Sequence, residues 1–299
     1  MSDTAFMQEL RTKLGATRGE SSVKQMMGTL KSINGGKPFG NLRFLHDEKA
    51  VMEVINSRSL LTRGSYFSTI TNALATQGRT KKLRDSYAAK ARETWTAIQT
   101  RDVHEKTAKQ EENMIPMKEI HKRREELEEI VGTIGDEPTA TERDYLTMWL
   151  LVCLYTEIQP RRNQDYAHMM VVPEMSNCED EDCNYLVMAD KQFVFNKYKT
   201  KRIYGRQVID IPEDLMKHIM VYLRHHPHAD AGVYDLIPGI NKINGITRML
   251  NKAFGKKIGA TALRHIYLSD KYATVVQERQ EDAAAMAHSV QVQTTYIKI

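Results

Sequence analysis

The chain has 299 residues, 41% of them hydrophobic and 27% charged, with a formal net charge of +5. That length suits two domains with sizeable cores, and the mild basic excess permits an anionic partner without demanding one. Cys153, Cys178 and Cys183 form no disulfide framework, the start at Met1-Ser2-Asp3 is polar, and no apolar run could span a bilayer, so a soluble intracellular protein is expected.

Residues 1–19 are expected to form an N-terminal arm. Ser21 and Ser22 can cap a helix from Val23 to the Asn34-Gly35-Gly36-Lys37-Pro38 stop. Further helices are expected over 47–56 and 60–76, then a long charged one over 81–113, closed by Pro116, and another over 117–131. Gly132, Gly135 and Pro138 punctuate the chain, and Thr139-Ala140-Thr141-Glu142 has the form of a capping box.

Past Pro160 the pattern turns to short extended runs over 167–172, 185–188, 192–195 and 203–211. Pro212 then stands near the first turn of a helix whose Leu215, Ile219, Tyr222 and Leu223 share a face. Helices are expected over 241–254 and from 260 to about 276, with short pieces near Asp282 and Thr294. The fold class is mainly α with a small antiparallel β-sheet, divided near residues 110–116.

Among the remaining polar residues, His225, His226 and His228 follow a helix and open a Pro-containing loop, which favours a structural role over metal ligation. Cys178 and Cys183 bracket the acidic stretch Glu179–Asp182 without two further ligands nearby, so no metal site is expected. The methionines suit adaptable core filling.

The chemically suggestive residues come in a fixed order. Gln159-Pro160-Arg161-Arg162-Asn163-Gln164-Asp165 follows the capped helix, and Lys197-Tyr198-Lys199-Thr200-Lys201-Arg202 lies in an expected hairpin. Ala262-Leu263-Arg264-His265, then Met286-Ala287-His288-Ser289, and finally Tyr296 complete the series. Arginine forks bind two non-bridging phosphate oxygens and keep their charge, a lysine can protonate a leaving oxygen, and a tyrosine can attack phosphorus.

That order resembles the tyrosine recombinases of the phage-integrase type, most closely the versions in eukaryotic DNA viruses and mobile elements. The resemblance implies a helical core-binding domain over 20–113, a joining segment over 114–138, and a catalytic domain over 139–299, the two domains clamping duplex DNA. It assigns Arg162 and Arg264 to the non-bridging oxygens, His288 to support them, Lys199 to the 5′-oxygen and Tyr296 to nucleophilic attack. Arg161 and Lys201 are the rivals of Arg162 and Lys199.

Asp165, three residues after Arg162, is the acidic member of the first motif. Thr261 stands where the family usually has a histidine or lysine, which leaves the tyrosine's proton to another group, to water or to His265. His265 otherwise packs the helix. The resemblance further implies a 3′-phosphotyrosyl intermediate, no cofactor and no metal. It also implies a homotetramer on two paired DNA sites, no membrane, and a location wherever DNA is kept (host nucleus, viral factory or bacterial cytoplasm).

For DNA contact, Arg63 is expected to reach a groove, and Lys81, Lys82, Arg84 and Lys201 to meet phosphates. Two other activities use related parts: relaxation of DNA by a type IB topoisomerase, and DNA binding by a remnant that has lost catalysis.

Overall fold

The computed structural model describes residues 4–78, 81–99, 106–240 and 243–298. The chain divides into two units, Met1–Glu105 and Lys106–Ile299, each with its own apolar core.

In the first unit the N-terminal segment is a helix rather than an arm. In α1 (Ala5–Gly15) the side chain of Thr4 caps the first turn, and Met7, Leu10 and Leu14 enter the core on one face. Helix α2 (Glu20–Ile33) begins three residues earlier than expected, with Gly19 as its N-cap and Ser21 and Ser22 inside the first turn. Its Met26 and Met27 are buried, as core filling requires.

Helices α3 (Glu48–Asn56), α4 (Leu60–Ala75) and α5 (Lys81–Gln99) complete the bundle. The last two approach closely at Gly64, where an added Cβ would stand 3.1 Å from the Trp95 ring. Tyr87 threads its hydroxyl through the core to the Leu45 carbonyl at 2.8 Å.

The single helix expected over 81–113 is two helices. Residues 100–105 lie outside the described ones, and Thr107 opens α6 (Ala108–Asn113) with a capping box completed by Gln110. The unit boundary therefore falls at 105/106 rather than beyond 110. Helix α6 and α7 (Met117–Val131) belong to the second unit. Ile120, Leu127 and Val131 join its core, Asn113 Oδ1 accepts the Lys257 N–H at 3.1 Å, and Arg123 donates to the Ala253 carbonyl at 2.6 Å.

Thr139 and Glu142 do form the expected capping box, opening α8 (Ala140–Thr156), and the helix is buried almost continuously from Leu146 to Tyr155. A helix apolar on every side is surrounded rather than laid on a surface. Helices α9 (Asn163–Tyr166), α11 (Glu213–Arg224) and α12 (Ile243–Phe254) pack around it; residues 241–242, expected to start the last, lie outside the described ones.

The sheet has five strands in the order β4-β3-β2-β1-β5: β1 (Met169–Val172), β2 (Asn184–Val187), β3 (Gln192–Phe195), β4 (Gln207–Asp210) and β5 (Tyr234–Asp235). It is mixed, not antiparallel, because β1 and β2 run parallel while the other neighbours are antiparallel. The acidic segment 173–183 is long enough to carry the chain back to the same end, which a tight hairpin is not.

The extended run expected from Ile203 begins as a helical turn, α10 (Lys201–Tyr204). Gly205, at φ +67°, ends that turn in the left-handed region before β4 starts. Helix α13 (Ala260–Ala285) runs unbroken through the point near Val276 where an end was expected and takes in Asp282; α14 (Val290–Tyr296) follows, capped by Ser289. Among the described residues no helix is long and apolar enough to cross a membrane.

Candidate functional site

Arg162 precedes α9, and Arg264 lies in the first two turns of α13. Both line two adjoining cavities of the second unit, one of about 690 Å³ and one of about 240 Å³. Thr261 and His265 line the larger; Asp165, Tyr198 and Thr200 line the smaller.

The backbone bearing Arg162 is fixed from behind. Buried Asn163 accepts from the Tyr155 hydroxyl at 2.6 Å and donates to Thr247 Oγ1 at 2.8 Å, linking α8, α9 and α12. Asp165 is held by Arg161, not Arg162: Arg161 Nε donates to its Oδ2 at 2.9 Å. The Arg161 guanidinium also stacks on Phe195 at 3.7 Å and donates to Gln207. Burial pushes the Asp165 carboxyl up from its usual range, and Arg161 pulls it back. Arg161 is thus committed to holding the motif together, while Arg162 faces the cavities.

Lys199 is exposed on the loop after β3, between Tyr198 and Thr200, which line the smaller cavity. Its neighbours are engaged with the acidic loop: Lys197 lies 3.3 Å from Asp182, and Lys201 lies 2.9 Å from Glu181. Lys201, expected as a phosphate contact or as the rival of Lys199, is therefore already in an ion pair. Among the described residues Lys199 makes none.

Sequence reasoning missed Asn184, which joins the two halves of this site. Its Nδ2 donates to the Asp165 and Lys197 carbonyls at 2.9 and 3.0 Å, and its Oδ1 accepts the Asn196 and Lys197 N–H groups at 2.9 and 2.8 Å. One buried amide thereby ties the arginine segment to the lysine loop. An asparagine at the start of a strand carries no signal of this in sequence.

His288 and Tyr296 are not with the arginines. They stand at the opposite end of α13, their ring centroids 5.8 Å apart, beside Arg279 and Asp282. Arg279 donates to Gln293 and Thr294, fastening α14 to α13. At about 1.5 Å per residue, Arg279 lies about 22 Å from Arg264 along the axis. Both ring nitrogens of His288 are buried without a hydrogen-bond partner among the described residues, and Tyr296 is 69% exposed.

Of the expected DNA contacts in the first unit, Arg63 donates to the Arg58 and Asn56 carbonyls at 2.8 and 2.6 Å, closing the end of α3. Arg84 pairs with Asp85 at 3.2 Å, and Lys81 and Lys82 are exposed.

Among the described residues one trio, Cys153, Glu157 and His218, brings potential metal-ligand atoms within 4.8 Å of one another. Glu157 is already met by Arg124 at 3.1 Å and His218 Nδ1 at 2.8 Å, and burial pushes the Cys153 thiol well up. A neutral thiol beside an ion-paired carboxylate is a packing arrangement. His226 is likewise structural: its Nδ1 accepts the His228 N–H at 3.1 Å, and its ring lies against Tyr234.

No family model, curated protein or solved structure matches this chain.

Proposed function

We propose that the chain is a site-specific DNA recombinase of the tyrosine type, which breaks and rejoins duplex DNA through a 3′-phosphotyrosine. The observation that carries this reading is the convergence of Arg162 and Arg264, far apart in sequence, on the same two cavities beside the Lys199 loop. Two guanidiniums at one opening form a site for a phosphodiester's non-bridging oxygens.

In this reading Tyr296 Oη bonds to phosphorus, and the bond to the 5′-oxygen breaks as Lys199 protonates it. Arg162 and Arg264 hold the charge that builds on the other oxygens, and His288 donates a further hydrogen bond. The 5′-hydroxyl of a partner strand then attacks the phosphotyrosine and restores a phosphodiester, with no net change in bond type. Paired sites and a homotetramer would supply that partner strand.

The separation of Tyr296 from the arginines favours a second reading, DNA binding without cleavage. One experiment decides. The protein and its Tyr296→Phe variant are incubated, in EDTA, with random-sequence duplexes carrying a 5′-bridging phosphorothiolate. Its sulfur leaves without a proton donor and does not religate. An SDS-resistant adduct lost in the variant supports recombinase chemistry; salt-dependent binding with no adduct supports the second reading.

A further inference from the structure

We propose that the connection between β3 and β4 places Tyr204 beside the bound phosphate, where its ring stacks on a base at an opened step of the duplex. This rests on the recombinase reading for its ligand, DNA, and adds a base-facing group to a site otherwise made of phosphate-facing ones.

Three observations meet at this residue. Ile203 and Tyr204, consecutive on the four-residue turn α10, are 74% and 65% exposed, and two large apolar side chains standing together in water mark a contact surface. Tyr204 also lines the smaller cavity with Arg162 and Arg264, so the exposed ring and the two guanidiniums share one opening. The turn that carries it is held in shape from below. Buried Tyr198 donates its hydroxyl to the Gly205 carbonyl at 2.7 Å, the Gly205 N–H donates to the Lys201 carbonyl at 2.8 Å, and the Tyr204 N–H reaches the Thr200 carbonyl at 3.2 Å. A preformed turn loses little freedom when its tip is bound.

The charges on the same connection favour nucleic acid as the occupant. Lys199, Arg202 and Arg206 are all exposed there, so the apolar tip is set among cations. Phosphates flank every base, and an aromatic ring accepts the face of any base. Inside a closed duplex those faces are covered by neighbouring bases. They become free where a step is opened, and apolar side chains open steps by wedging between them. Strand exchange requires the base next to the broken phosphate to leave its partner, and Tyr204 stands where it would hold that base unpaired.

A short duplex with a central mismatched step offers a base that is already unstacked, and the fully paired duplex of the same sequence is its control. The wild type is expected to bind the mismatched duplex more tightly, and to quench a 2-aminopurine placed at the mismatch. Tyr204→Ala is expected to weaken binding to the mismatched duplex by roughly 5- to 150-fold and to abolish the quenching. Tyr204→Phe keeps the ring and should keep both. Val208→Ala, exposed on neighbouring β4, should leave the preference intact.

Equal affinity of the wild type for the two duplexes, or a preference that survives in Tyr204→Ala, overturns the proposal. So does self-association that is lost in Tyr204→Ala without any mismatch preference, which assigns the tip to a second copy. A preference and quenching that follow the ring uphold it even where the phosphorothiolate duplexes give no adduct, a result that overturns the recombinase reading alone. Absence of salt-dependent binding to either duplex overturns both.

Discussion

Arg161 and Asp165 form a nearly buried ion pair at 2.9 Å, and that pair separates two adjacent arginines into different tasks. Arg161 closes the motif on itself, stacked on Phe195. Arg162 is left facing the cavities shared with Arg264.

The two arginines should therefore respond oppositely to substitution. Arg161→Met strands the Asp165 carboxylate and is expected to cost about 3 kcal/mol of stability, measured by urea unfolding. Arg162→Ala is expected to cost about 1 kcal/mol or less while lowering the adduct yield by on the order of 100-fold. The Arg161→Met deficit should also depend on pH. Burial holds the folded Asp165 pKa above its unfolded value near 3.8, so the folded state favours the protonated form, and stability falls as pH rises through the folded value. Without Arg161 that pKa rises further, so the deficit should shrink in acid. A deficit independent of pH would place the cost in packing on Phe195 alone.

His226 predicts a pH dependence of the opposite sign. Burial lowers its folded pKa below 6.5, and its Nδ1 must stay unprotonated to accept the His228 N–H. Its stabilising contribution is present above the unfolded pKa and is lost as pH falls through the folded value. Asp235, through its backbone first and its carboxylate second, opposes the shift, and the His228 ring adds to it. Unfolding midpoints measured between about pH 7 and about pH 5 should fall more steeply for wild type than for His226→Phe. Equal slopes would remove His226 from the account.

Asn184 should matter to folding and to the lysine loop together. Asn184→Leu deprives two carbonyls and two N–H groups of their partner and is expected to cost about 2–4 kcal/mol. Hydrogen exchange at Asn196 and Lys197 should quicken more than at the β2–β3 ladder. Uniform quickening would mean that the amide stabilises the whole sheet without positioning the loop.

Features decided by neighbours in sequence were legible before any coordinates. The Thr139–Glu142 capping box and the helices over α3, α4 and α7 depend on local chemistry. Features decided across the fold were not. An aspartate four residues after one arginine and three after the next cannot reveal which it pairs with. The parallel alignment of β1 with β2 depends on where an irregular loop returns. The end expected near residue 276 is absent from α13, which runs on through Thr274-Val275-Val276, since β-branched residues lower helix propensity by well under about 1 kcal/mol each, too little to break it. The order Arg264, His288, Tyr296 says nothing about distance, and the unbroken helix is what separates them.

Lys199 makes the sharpest chemical prediction. As the proton donor to the 5′-oxygen it should matter only when that oxygen needs a proton to leave. Lys199→Ala is expected to slow cleavage of an ordinary phosphodiester by on the order of 100- to 10,000-fold. On the 5′-bridging phosphorothiolate the same variant should approach the wild-type rate, since a thiolate departs unprotonated. Arg162→Ala should stay impaired on both substrates, because its charge stabilisation does not depend on the leaving group. Lys201→Ala, which only releases Glu181, should cleave the ordinary phosphodiester at nearly the wild-type rate. If the sulfur substrate rescued Lys201→Ala and not Lys199→Ala, the proton donor would be Lys201, and the Glu181 ion pair would have to open before each cleavage.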